Sequence, residues 1–226
     1  MTQEKVIGIL GGMGPEATLD LFRRIIHKTP AQIDQDHLRL IIDNNPKIPD
    51  RMAALLHGGE SPVPALISTA QNLERAGADF IIIPCNTAHC YLGEMRKAVH
   101  IPIIDMIAET VARISERNVG LLATDGTIEN GIYLSACRGK EITLLYPEDQ
   151  KKMMTLIYKV KAGHMDCTLK GQMMSIVDGL LKQGAQAIIA GCTEISLVLQ
   201  QGDFDVPLFD PLDLLAEKAI ELADAA

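Results

Sequence analysis

Residues 77–85 read GADFIIIPC, and residues 184–192 read GAQAIIAGC. In both stretches a Gly-Ala pair opens a short apolar run, and a cysteine stands eight residues after the glycine. Cys85 and Cys192 are therefore equivalent positions of one repeated unit. The repeat extends outward. IPIID, ending at Asp105, corresponds to VPLFD, ending at Asp210, and IGILGGMG from Ile7 corresponds to VGLLATDG from Val119, with every offset between 105 and 112 residues. A duplication on this scale predicts two similar lobes related by an approximate two-fold axis.

Short apolar, β-branched runs alternate with longer amphipathic stretches: KVIGIL, LRLII, DFIII and IPIID, then NVGLL, EITLLY, QAIIA and VPLFD. Nearly continuous apolar runs suit parallel strands covered on both faces, and the gaps between them are long enough for crossover helices. The expected fold is α/β, with two pseudo-symmetric lobes, each a roughly four-stranded parallel sheet flanked by helices, and the active site in the cleft between them. The first lobe is expected to comprise residues 1–105 with the C-terminal helix 211–226 packed back onto it, the second residues 106–210. Ligands of open parallel sheets lie beyond the carboxyl ends of the strands. Both cysteines stand there, so two facing lobes would aim both thiols into one cleft.

Composition narrows the class of ligand. The chain has 226 residues, 47 % apolar and 22 % charged, which is the profile of an ordinary globular protein. Its net charge of −8 disfavours nucleic acid and anionic membranes as partners, because phosphate neutralisation needs clustered Lys and Arg. A small-molecule ligand is expected. The N-terminal MTQEKVIGILGGMGP is neither a signal peptide nor a membrane span, which points to the cytoplasm. The five cysteines, at 85, 90, 137, 167 and 192, form an odd set without a CxxC pair, so they read as free thiols, not as a disulfide framework or zinc ribbon.

A thiolate is a good base and nucleophile, and a helix N-terminus or a nearby cation favours it. Asn86 and Thr87 after the first cysteine, and Thr193 after the second, are short polar residues suited to capping a following helix and to holding a carboxylate. Few reactions want two thiols at symmetric positions. Proton transfer on both faces of a carbon stereocentre is one: a thiolate removes the proton from one face while the opposite thiol delivers a proton to the other. The carbanion that develops needs fixed donors around the substrate carboxylate.

GILGGMGP, NNPKIPDR, PCNTAHC and AGCTEIS closely resemble the aspartate racemase branch of the cofactor-independent aspartate/glutamate racemase superfamily, over essentially the whole chain. The resemblance implies a two-base racemase of an acidic amino acid, most simply L-aspartate to D-aspartate, working without a cofactor or metal and commonly as a homodimer. Cys85 and Cys192 would be its acid/base pair. Arg51 and Lys161 match family residues that grip the substrate's side-chain carboxylate. Asp50, Asn86, Thr87 and Ala88 would line the same pocket, with Thr193 and Glu194 beyond the second cysteine and the backbone around Met13 closing one wall. Dedicated glutamate racemases open with an Asp-Ser-Gly type turn and carry His beyond the second Cys-Thr, where this chain has GGMGP and Glu194; a broader-specificity branch has Thr in place of Cys85. Readings left open are a racemase of both aspartate and glutamate, a decarboxylase or cis-trans isomerase of a small dicarboxylate, and a non-catalytic amino-acid-binding relative.

Bland readings stand beside these. Arg51 could be an exposed residue at a helix start, and Lys161 a cation at a helix C-terminus ahead of Gly163. GGMG lacks the GxGxxG spacing and the Gly-Lys-Ser/Thr of a phosphate loop, and reads as a tight turn that needs positive φ. Cys85, His89 and Cys90 lack a fourth ligand, so no metal is expected. His89 is expected to orient or pack beneath Cys85, and Cys90, Cys137 and Cys167 to be ordinary thiols.

Overall fold

The computed structural model describes residues 4–164 and 166–224. The first half runs β1 (Ile7–Gly11), α1 (Pro15–Lys28), β2 (Leu40–Asn44), α2 (Arg51–Leu56), α3 (Val63–Arg75), β3 (Phe80–Ile82), α4 (Leu92–Ala98) and α5 (Met106–Ala112). The second runs β4 (Asn118–Ala123), α6 (Asp125–Glu129), α7 (Ile132–Ala136), β5 (Thr143–Leu145), α8 (Gln150–Lys161), α9 (Cys167–Lys182), β6 (Ala187–Gly191), α10 (Thr193–Ser196), β7 (Leu208–Phe209) and α11 (Pro211–Asp224). No helix among the described residues is long and apolar enough to cross a membrane.

The strands form two parallel sheets, β2-β1-β3 and β5-β4-β6-β7. In each, the first strand of the half sits centrally, the second strand on one side and the cysteine-bearing strand on the other, with Ile7 beside Phe80 in the first sheet and Val119 beside Ala187 in the second. The duplicated sequence thus gives a duplicated strand order. The expected fourth strand of the first half, IPIID, is reduced to a single parallel bridge between Ile81 and Ile103. Pro102 has no N–H to donate and only accepts, from Ile81 N at 2.8 Å, and two residues beyond Ile103 the side chain of Asp105 already caps α5. Its counterpart β7 is only two residues long for the same reason: Pro207 O accepts from Ile188 N at 2.9 Å, and Asp210 begins the turn into α11. Both sheets therefore end in a short proline-led edge, which blunts pairing with other chains.

The Gly-Ala pair that opens each repeat ends a helix. Ala78 N donates to Leu73 O and Gly77 N to Glu74 O; one repeat later Ala185 N donates to Leu180 O and Gly184 N to Leu181 O. This crossed pattern satisfies the last carbonyls of α3 and α9 and requires a left-handed residue, here Gly77 at φ 94° and Gly184 at φ 95°. The apolar strand follows at once, with Ile81, Ile82, Ile188 and Ile189 fully buried.

The flanking helices bury one face each. In α1, which starts with Pro15 and carries His27 and Lys28 in its last turn as helix ends prefer, Leu21 and Ile25 are fully buried. They share a cluster with Ile7 and Ile9 of β1, Met106 of α5, and Leu212, Leu215 and Ala219 of α11. Polar contacts fix the same helices: Arg24 pairs with Asp20 at 2.8 Å and with Asp210 at 2.6 Å, and Lys28 pairs with Asp213 and Glu217. Asp210 also accepts from Ser196 Oγ at 2.7 Å, which ties the helix after Cys192 to α1. In the second half, α8 and α9 cover the sheet through Met153, Ile157, Met173, Val177 and Leu180, and Met52 of α2 reaches into that cluster.

Because the two glycines end their helices in the same way, Gly77→Ala and Gly184→Ala should each lower stability by about 1–2 kcal/mol, the cost of forcing a left-handed conformation on an L side chain. No atom crowds an added Cβ at Gly77, and the nearest at Gly184 is Asn118 Nδ2 at 4.0 Å, so backbone strain alone sets the cost. Urea unfolding of the two single variants and the double variant should give matched losses that add; unchanged midpoints would contradict this reading of the repeat.

Candidate active site

Strand polarity brings the two cysteines together. Cys85 follows the carboxyl end of β3 by three residues, and Cys192 directly follows β6. Each is only 6 % exposed, and both line one narrow cavity with Met13, Asp50, Arg51, Met52, Asn86, Thr87, Thr124, Lys161, Thr193 and Glu194. The cavity, of about 20 Å³, has room for roughly one water molecule. Met13, Asp50, Arg51, Lys161 and Glu194 also line a wider depression of about 460 Å³, bounded further by Pro15, Pro46 and Val160.

Two cations face this space. Arg51 is the first residue of α2, whose N-terminus Asp50 caps by accepting from Ala53 N at 2.7 Å. Its Nη1 donates to the carbonyls of Ile48 and Pro49, which holds the guanidinium, while its buried Nε has no partner among the described residues. Lys161 ends α8, and its Nζ stands 3.8 Å from Glu194 Oε1. Burial opposes its charge, but Glu194 and the two thiols outweigh burial and the repulsion of Arg51, so Lys161 is held above its ordinary pKa.

The polar surroundings of the two thiols differ. Cys192 Sγ donates to Glu194 Oε2 at 2.8 Å, and Thr193 Oγ1 donates to the same oxygen at 3.3 Å. Burial, then the charge of Glu194, pushes the Cys192 thiol well above the usual range, with Lys161 opposing. Cys85 is held through its backbone: His89 Nδ1 donates to Cys85 O at 2.8 Å while His89 Nε2 accepts from Met106 N at 3.1 Å. Both ring nitrogens are thus used in the neutral form, and burial lowers the pKa of His89, which keeps it so.

The residues after each cysteine do not cap helices as expected. A 3-10 turn, Thr87–Tyr91, follows Cys85, and the single-turn α10 follows Cys192, neither with a side-chain cap. So short a helix has little macrodipole, and the side chains bond across the structure instead. Thr87 Oγ1 joins Thr124 Oγ1 at 3.2 Å and Thr127 Oγ1 at 3.0 Å, and Asn86 Oδ1 accepts from Tyr133 at 2.6 Å. Asn86 Nδ2 is buried without a partner among the described residues.

The cavity gathers Cys85, Cys192, Met13, Asp50, Arg51, Asn86, Thr87, Lys161, Thr193 and Glu194, but not Ala88, whose fully buried methyl packs with Leu66, Ile81 and Met95. The GGMG turn does require positive φ, at Gly12 (95°), and Gly12 N donates to Thr18 Oγ1. Of the remaining thiols, Cys90 is pushed up to about 12, chiefly by burial, Cys137 is buried and Cys167 exposed; none lines the cavity. Sequence reasoning missed Met52, Thr124, Thr127 and Tyr133. The repeat carried a signal for one of them: Thr124 is the counterpart of Gly12 in the GGMG turn that supplies Met13.

The sequence profile of the Asp/Glu/Hydantoin racemase family matches residues 10–219. The broad specificity amino-acid racemase of Bacillus subtilis is 29 % identical over 225 residues, 95 % of this chain and 96 % of that one. Among solved structures, Picrophilus torridus aspartate racemase superposes with a TM-score of 0.90 at 33 % identity, covering 97 % of this chain and 94 % of the other. An aspartate racemase homologue from Pyrococcus horikoshii OT3 does so at 0.79 and 28 %, covering 97 % and 99 %. With a duplicated α/β fold, a cysteine at each matching strand end and a profile match over nearly its full length, the chain belongs to the Asp/Glu/Hydantoin racemase family.

Proposed function

We propose that this protein racemises an acidic amino acid, L-aspartate to D-aspartate, with Cys85 and Cys192 as the two bases. The observation that carries the reading is that two repeat-related thiols line one cavity with Arg51 and Asn86, whose Nε and Nδ2 are buried donors without partners among the described residues. A buried donor left unpaired is costly, and a dicarboxylate would supply the missing acceptors. Arg51 and Lys161 would hold the side-chain carboxylate, the guanidinium through its planar fork. Asn86, Thr193 and the Met13 wall would hold the α-carboxylate.

In this mechanism the Cys85 thiolate takes the α-proton from one face, and the electron pair delocalises into the α-carboxylate. The Cys192 thiol then gives its proton to the opposite face. The configuration inverts and the proton has in effect moved from Cys192 to Cys85, so the enzyme is ready for the mirror-image substrate. The burial of Cys192 and the charge of Glu194 favour the thiol there, which supports the donor role for Cys192 in the resting protein. The donors around the α-carboxylate act on the charge that develops in the transition state.

A cavity of about 20 Å³ does not hold an amino acid, so the walls part to admit one. The wider depression beyond Arg51 and Lys161 favours glutamate as a second substrate, since a longer side chain extends that way. All five cysteines are free, and a reducing cytoplasm and a homodimer belong to the same reading.

Chiral chromatography in deuterium oxide should show both aspartate enantiomers forming from either one, with solvent deuterium at the α-carbon of the product. Cys85→Ala and Cys192→Ala should each cut racemisation by at least about a thousandfold, the scale of losing an essential proton-transfer group; full activity in both variants would sink the mechanism. Glu194→Gln removes the charge that helps raise the Cys192 thiol. The alkaline limb of kcat/KM, which reports loss of that proton in the free enzyme, should then move to lower pH. An unmoved limb would detach Glu194 from Cys192.

A further inference from the structure

Tyr133 lies on α7, in the second half of the chain, yet its hydroxyl meets Asn86, the neighbour of Cys85 in the first half. Both side chains are almost wholly enclosed, Tyr133 at 1 % exposure and Asn86 at 3 %. A carboxamide has one accepting and one donating end. The Tyr133 hydroxyl engages the accepting end at 2.6 Å, and Asn86 Oδ1 is its sole hydrogen-bond partner among the described residues. Turning the carboxamide over would leave the hydroxyl proton with no acceptor, so the bond fixes which end faces where. Burial raises Tyr133 well above its ordinary pKa, which keeps it a donor. The remaining end, Nδ2, is buried and unpaired among the described residues, in a residue that lines the cavity.

We propose that Tyr133 is a positioning residue of the substrate site, locking the Asn86 carboxamide so that Nδ2 points into the cavity and donates to a carboxylate of the substrate. Nothing in the sequence around Cys85 contains this role, because the residue that aims Asn86 comes from the other half of the chain. The same segment grips the turn a second time, through the hydroxyls of Thr124 and Thr127 on Thr87. At the corresponding turn after Cys192, Thr193 bonds locally to Glu194, and among the described residues no side chain of the other half grips it in the way that Tyr133 grips Asn86. Recognition of a carboxylate beside Cys85 therefore depends on the second half being docked against the first. The identity of the ligand as an acidic amino acid rests on the racemase reading above.

The test replaces the hydroxyl and keeps the ring. Tyr133→Phe should weaken aspartate binding by calorimetry, and raise KM for racemisation, by about tenfold or more, the scale of a hydrogen bond to a charged group. Asn86→Ala should weaken binding to a similar degree, and Tyr133→Phe added to it should bring no further loss. A merely structural tyrosine would instead give losses that multiply in the double variant. Affinity within twofold of the parent in Tyr133→Phe, or multiplying losses, overturns the proposal. Should Tyr133→Phe fail to fold, the side-chain amide resonances of Asn86 in the unaltered protein decide: a shift on adding aspartate supports the proposal and an unchanged signal overturns it. Aspartate binding with no exchange of the α-proton would sink racemisation alone. Failure to bind aspartate or glutamate at all would overturn both.

Discussion

Everything at the site depends on the polarity of a parallel sheet. When all strands run one way, every turn from strand to following helix falls on the same edge, and the groups carried there converge. Here the constraint acts twice. Cys85 stands beyond the end of β3 and Cys192 directly after β6, in two sheets with the same strand order. A thiol placed at the other end of either strand would be separated from the cavity by the length of the strand. The helix ends that launch these strands, at Gly77 and Gly184, are built alike down to their individual hydrogen bonds, which fixes the two cysteines at equivalent distances from their helices.

The symmetry of the backbone is not carried into the side chains. Cys192 is paired with a carboxylate two residues on, whereas Cys85 is steadied from behind by a neutral histidine that spans from its carbonyl to the N-terminus of α5. At the next position Asn86 is answered by Thr193, and beyond it Thr87 by Glu194. Under the proposed mechanism the two thiols hold opposite protonation states and exchange them at each turnover, and unequal neighbours bias the resting distribution between them. Removal of Glu194 tests that asymmetry on one side only. A null result there would leave the placement of both thiols untouched, because placement comes from the strands.

What was legible in the sequence follows the same division. The strand ends, the paired cysteines and the parallel α/β class were readable because a repeat is a local pattern seen twice, and the GADFIIIPC stretch contains both its helix stop and its strand. The edge strand at IPIID was over-read: its apolar residues suggested a full strand, while Pro102 and the capping Asp105 left space for a single bridge. Asn86 and Thr87 read from the sequence as polar helix caps beside the thiol, since a sequence shows near neighbours and conceals distant ones. Their actual partners, Tyr133, Thr124 and Thr127, lie 37 to 47 residues away and come together only through packing between the halves.

The cations are also divided between the halves. Arg51 opens α2 and Lys161 closes α8, so they are not equivalent positions, but each lies in the crossover between the second strand of its half and the helix that leads to the cysteine strand. Each half therefore brings one thiol and one cation to the cavity. Arg51 and Lys161 are like charges on one cavity and repel one another, and Glu194 offsets that repulsion from 3.8 Å. An incoming carboxylate would take over the same task between the same two charges. Under the proposed function, a side-chain carboxylate placed between Arg51 and Lys161 would be held by both halves at once, beside the thiols that both halves also supply.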